Sequence, residues 1–135
     1  LHLPLLPMNS KKLKPGRGQV VVWKKGRASA GVCNYVAIVK MAVNKGSIVR
    51  PHNTNKCRAM RVKVLAIYKW NPNGHSRIAP IKIAYSAQYS SLAVPTAYRV
   101  GRWTTANGLN KALNVECGKG INFFMTKKEA EIYYP

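Results

Sequence analysis

Apolar and polar positions alternate most clearly along residues 57–69 (CRAMRVKVLAIYK). There Met60, Val62, Val64 and Leu65 stand against Arg61, Lys63 and Ala66. A period of two sends the two sets to opposite faces, which predicts one long half-buried strand. Residues 77–85 alternate as well, with Ile78, Ile81 and Ile83 apolar. Pro80 within that run has no N–H to give a ladder, so it points to an edge or a bulge. Two further runs, 19–23 (QVVVW) and 35–43 (YVAIVKMAV), are rich in β-branched residues and read as strands. Residues 97–103 (AYRVGRW) predict a short strand ending in a turn, and 121–125 (INFFM) a buried one.

Turn chemistry separates these runs. Lys24-Lys25-Gly26-Arg27 reads as a basic turn and Asn44-Lys45-Gly46 as a hairpin turn, after which 47–50 continue the pairing. Residues 51–55 (PHNTN) form a polar loop, and 71–75 (NPNGH) are a strong turn signal. Residues 86–95 are rich in Ser, Ala and Tyr and predict irregular backbone. Residues 104–115, which include Asn107-Gly108, break repeatedly.

One helix is signalled. Thr126-Lys127-Lys128-Glu129 has the spacing of a capping box, with Thr126 accepting from the Glu129 amide and Glu129 reaching back to the Thr126 amide. A short helix from Lys127 to about Tyr133 should follow. The expected class is α+β: a small, mostly antiparallel, β-rich single domain over 19–135 with a short C-terminal helix. An extended basic arm, 1–18, precedes it. A chain of 135 residues is long enough for one domain with a real core.

Charge changes this picture. Residues 1–115 hold 20 Lys and Arg and no acid; the three acids are Glu116, Glu129 and Glu131. A formal charge of +20 on 15.0 kDa is a nearly one-sign field. Such a field repels itself and disfavours an uncovered compact monomer, so an anionic partner is expected. The cations fall into three groups. The arm carries Lys11, Lys12, Lys14 and Arg17. The first turn carries Lys24, Lys25 and Arg27. The third group is Lys56, Arg58, Arg61 and Lys63, in which Arg61 and Lys63 share a strand face. With no neighbouring acid to neutralise that face, an outside anion is the expected partner. A membrane partner is not expected, because no apolar run approaches the roughly 18 residues of a span. The opening LHLPLLP is too short and proline-broken for a secretory signal, and Met8 before Asn9-Ser10-Lys11-Lys12 reads as a natural start.

Catalytic chemistry finds little to work with. There is no Asp, and two of the three Glu lie on or beside one helix, so paired-carboxylate catalysis and carboxylate-held magnesium are disfavoured. His2 lies in the arm, and His52 and His75 lie in Pro/Asn loops. Cys57 or Cys117 with His52 would make a nucleophile pair only against the ordinary reading of strand cysteines as core. Cys33, Cys57 and Cys117 lack zinc spacing. Lys14-Pro15-Gly16-Arg17-Gly18 lacks the spacing of a nucleotide-binding loop. No cofactor, no metal and no enzymatic activity are expected. Interleaved aromatics and cations would suit RNA, but the Phe123-Phe124 context lacks the RNA-binding signature and reads as core.

Two stretches carry a family resemblance. Residues 54–67 read TNKCRAMRVKVLAI, and residues 98–133 run from YRVG to ECGKGINFFMTKKEAEIY. Together they resemble a domain of unknown function common in large nucleocytoplasmic DNA viruses, often beside pentapeptide repeats. VVVWKKGR and YVAIVKMAV also fit its opening strands, so the resemblance spans roughly 19–134. Asn122 stands where that pattern has His. The resemblance implies a viral origin and a small β-rich fold, and carries no activity to transfer. Cys57 and Cys117 each fall in a motif segment, which implies that they lie close together, buried and able to bridge, with Cys33 apart. The expected role is a basic minor capsid or cement protein of the virion, held between larger capsid subunits and other minor capsid proteins. The alternative is sequence-independent binding of nucleic acid in genome packaging.

Overall fold

The computed structural model describes residues 13–30, 33–79, 81–86 and 95–133. The two stretches richest in β-branched residues form its longest strands, β1 (Gln19–Ala30) and β2 (Cys33–Asn44). They pair antiparallel in unbroken register from Gln19 opposite Asn44 to Ala30 opposite Cys33. Directly opposed residues share a face. Val20, Val22 and Ala28 therefore point to the same side as Val43, Met41 and Tyr35.

Residues 24–27 are not a turn but the middle of β1. Gly26 explains the discrepancy. A Cβ there would lie 2.5 Å from the Tyr85 carbonyl oxygen, so this glycine admits the close passage of a neighbouring strand rather than a reversal of the chain.

The run 57–69 is likewise divided, at Met60. β3 (Cys57–Ala59) leaves to pair with β9 (Ile121–Phe123), while β4 (Arg61–Lys69) pairs with β2. A register shift between Lys40 and Met41 interrupts the β2–β4 ladder. The run 77–85 also divides, into β5 (Arg77–Ile78) on β4 and β6 (Ile83–Ser86) on β1. Pro80 lies outside the described residues.

β7 (Ala97–Arg99) pairs with β6, and β8 (Trp103–Thr105) pairs with β4. Only Val100, Gly101 and Arg102 separate β7 from β8. The ladder runs from β4 through β2, β1 and β6 to β7, and the chain then returns through β8 to pair with β4 on its other edge, so the sheet curls round. Its inner face holds the main core: Val22, Val39, Met41, Val62, Val64, Ile67 and Tyr98, joined by Phe123 and Ile121 of the two-stranded sheet. Phe123 is fully buried; cutting it to Ala would cost about 3–5 kcal/mol. Residues 47–50 do not extend the hairpin. Lys45–Ser47 is a single 3-10 turn, and Val49 bridges to Arg58 instead.

The outer face carries a smaller core, in which Ile38 packs with Phe124 and Ala130 beside Trp23, Tyr68, Trp70 and Tyr133. Ala130 belongs to α1 (Lys127–Ile132), the expected C-terminal helix. Its capping box is formed: the Glu129 amide donates to Thr126 Oγ1 at 3.2 Å and the Thr126 amide to Glu129 Oε1 at 3.2 Å. The protein is a small, antiparallel, β-rich domain with one short C-terminal helix. Of the arm, 13–18 are described: they are exposed and irregular, with a turn at 17–18.

Candidate anion-binding surfaces

The structure sorts the basic residues by strand face. Arg58 is the clearest departure from expectation. It reads in sequence as one more cation of the third basic group, yet it is fully buried in β3. Its guanidinium donates from Nε to Asn110 O at 2.6 Å, from Nη2 to Ala112 O at 2.6 Å, and from Nη1 to Val115 O at 2.7 Å and Glu116 O at 3.4 Å. A planar fork of five donors is suited to such a task. It gathers the carbonyls of a segment that lacks its own ladder and so gives the irregular residues 106–118 a fixed shape. Gly118 closes over it; a Cβ there would lie 3.1 Å from the Arg58 guanidinium carbon.

Lys24 and Lys25 are also taken up by the fold, unlike the free turn expected of them. Lys24 faces the inner side, opposite Val39, and its Nζ donates to Asn122 O at 2.8 Å. Its pKa is lowered to about 8, first by burial and then by the nearby Lys56 ammonium. Lys25 faces the outer side. Its Nζ donates to Glu131 O at 2.9 Å and Tyr133 O at 2.8 Å, and lies 4.2 Å from the Trp70 ring centroid. A cation on the last carbonyls of α1 suits the negative end of the helix. Burial lowers its pKa too, with Glu131 opposing. Trp70 Nε1 donates to the same Glu131 carbonyl at 3.1 Å.

Between these two lysines the outer edge of β1 changes partners. Trp23 exchanges both backbone bonds with Phe124, whereas Gly26 and Arg27 face Ser86 and Tyr85 of β6. The gap opens a cleft of about 380 Å³. Lys24, Lys25, Lys56 and Lys119 contribute to its lining, with Asn107, Asn122, Ser86 and Thr96, and among the described residues no acid does. Lys56 Nζ donates to the Tyr133 hydroxyl at 2.8 Å. Asn122 Nδ2 donates to Gly120 O at 3.3 Å, while its buried Oδ1 has no hydrogen-bond partner.

The second surface lies on the outer face at the other end of the sheet. Arg61 and Lys63 flank the fully buried Val62, so both point outward, as the alternation implies. β8 sets Trp103 directly opposite Lys63 and Thr105 opposite Arg61. Trp103 is 44% exposed, and the Arg61 guanidinium sits 4.2 Å from its ring centroid. Lys40, on the same outer face, reaches within 5.8 Å of the Trp23 ring. Trp103 and Lys40 have no marker in the sequence, because their placement depends on the β8–β4 and β1–β2 registers.

The remaining expected residues are dispersed. Lys14 and Arg17 are exposed in the arm segment, and Lys11 and Lys12 fall outside the described residues. Arg27 is exposed beside Tyr85. Cys57 is buried, but Cys117 is exposed, and all three cysteines are free thiols. Burial pushes the Cys57 thiol up, which suits an inert core residue better than a nucleophile. The two motif cysteines are thus unbridged, and Cys117 meets Lys56 Nζ at 3.8 Å instead. Among the described residues no three His, Cys or acidic side chains gather as a metal site.

Residues 11–130 match the model of DUF5758, described as a family of unknown function. No curated protein and no solved structure matches the chain.

Proposed function

We propose, since the chain belongs to the DUF5758 family of unknown function, that its role follows from its charge: it is a non-enzymatic, basic structural component of a large DNA virus particle, a minor capsid or cement protein seated between larger capsid subunits. The observation that carries this reading is how the few acids are used. Glu129 is occupied by the capping box, and Glu131 Oε2 accepts from Ser76 Oγ at 2.5 Å. Two of the three carboxylates therefore hydrogen-bond to hydroxyls and an amide, and Lys25 is the cation on which Glu131 acts. The outward cations keep their field, which acidic faces of neighbouring subunits would neutralise with many weak contacts. The viral setting is supported by the motif resemblance at 54–67 and 98–133.

A second reading, sequence-independent nucleic-acid binding, is favoured by one feature, the exposed Trp103 with Arg61 over it and Lys63 beside it. Aromatic faces among cations are how single strands are stacked and held. Zero-length carboxyl–amine coupling in purified particles separates the two. Coupling of Lys40 or Lys63 to Asp and Glu of larger subunits is the expected result. Protein found only with the genome, with affinity falling steeply with salt, would reverse the order of the two readings.

A further inference from the structure

The cleft beside β1 is an unusual place for lysines. Lys24 is held inside the fold, on the face that bears the main core, and Lys56 is close enough to disfavour its charge. Placing two like charges in a partly enclosed space is costly unless an opposite charge joins them. Among the described residues no carboxylate lines the cleft; besides Lys25, whose ammonium is tied to the Glu131 and Tyr133 carbonyls, the lining includes a further ammonium, Lys119, at the rim. The Lys119 side chain lies over Gly108, where a Cβ would meet its Cδ at 3.3 Å.

The lysines also keep donors to give. An ammonium has three N–H groups. Lys24 uses one on Asn122 O, and Lys56 uses one on the Tyr133 hydroxyl and a second, longer one on Cys117 Sγ at 3.8 Å, which leaves each with at least one. Simple wall residues would be served as well by Met or Leu, without the charge. Three ammoniums bordering one opening exceed what a single carboxylate neutralises. A phosphate, with up to two charges and three terminal oxygens, matches that count. The volume of about 380 Å³ lies at the small end of the range of small-molecule sites. We infer that the cleft between β1, β6 and β9 is a binding site for a small phosphate-bearing molecule, such as a phosphomonoester or diphosphate, held by Lys24, Lys56 and Lys119. This assignment is independent of the partner of the outer face. The cations that would meet that partner, Arg61 and Lys63, do not line the cleft.

A protein of this charge attracts any anion, so the test must locate binding. The full chain is titrated with pyrophosphate and, separately, with inorganic phosphate at constant ionic strength in sodium chloride, followed by amide chemical shifts. The expected result is saturable shifts at Lys24, Gly108, Gly120 and Asn122, with the Lys24 amine protected from an acylating reagent. Lys119→Met, at an exposed position, keeps the fold and should weaken pyrophosphate at least about tenfold, the equivalent of losing one charge-assisted hydrogen bond. Lys24→Met should abolish the saturable phase. The double variant Arg61→Gln/Lys63→Gln should bind as wild type does. Shifts spread without saturation over Arg27, Lys63 and Trp103, or an unchanged affinity in Lys119→Met, would overturn the assignment.

Discussion

Arg58 and Arg61 stand three residues apart in one basic stretch, and the fold gives them opposite tasks. Arg58 is buried in β3, where it spends its donors on four backbone carbonyls of residues 110–116. Arg61 begins β4, outside the curled sheet, with its guanidinium over the exposed Trp103. The break at Met60 decides between them, because it sends β3 into the two-stranded sheet and β4 into the larger one. The same contrast recurs on β1. Lys24 and Lys25 brace the inner edge and the end of α1, while Arg27 is exposed. High positive charge in this chain is therefore of two kinds: cations that bind its own backbone, and cations left over for something else.

The contrast breaks most sharply at Arg58. Arg58→Met should lower unfolding stability by about 3–5 kcal/mol, since several buried carbonyls lose their donor together. Arg58→Lys should recover little, because a point charge cannot replace the fork. Arg61→Met should stay within about 0.5 kcal/mol of wild type, as surface changes usually do. Urea midpoints at constant slope would measure all three, and equal losses at 58 and 61 would erase the distinction.

Lys25 sharpens it at the next level. Lys25→Met should cost about 1–2 kcal/mol by exposing the last carbonyls of α1 to an uncharged neighbour. Amide exchange in 127–133 should accelerate. Thr126→Ala should cost about 1 kcal/mol through the lost cap, also read in those amides. If exchange there is unaffected by either change, α1 is held by packing alone.

Lys24 gives an effect whose sign depends on how its proton is held. Its folded-state pKa, about 8, lies below the ordinary lysine value of 10.5. The unfolded chain therefore binds more protons between these values, and the lysine's destabilising contribution is fully present below pH 8 and fades as pH rises toward 10.5. The stability of Lys24→Met relative to wild type should be greatest at and below pH 8 and should decline toward pH 10.5. A pH-independent difference would mean that Lys24 titrates normally.

Much of this architecture was legible in the residues. The capping box over 126–129 needs only local spacing, and it formed as read. The alternation around Val62 placed Arg61 and Lys63 outward. What failed depended on contacts distant in sequence. Lys24-Lys25-Gly26-Arg27 has the composition of a turn, and only the passage of Tyr85 against Gly26 shows why it is strand. Arg58 gave no local sign of burial, because its acceptors lie 52 to 58 residues away. The cleft was illegible for the same reason: Lys24, Lys56 and Lys119 meet only once β1, the approach to β3 and the approach to β9 are brought together.

On the proposed role, the outward cations, and not the inward ones, would engage the capsid partner. The direct test is particle incorporation of Arg61→Gln/Lys63→Gln, with its denaturation midpoint measured alongside. The expected result is a variant as stable as wild type but depleted from purified particles. Normal incorporation of that folded variant would contradict it.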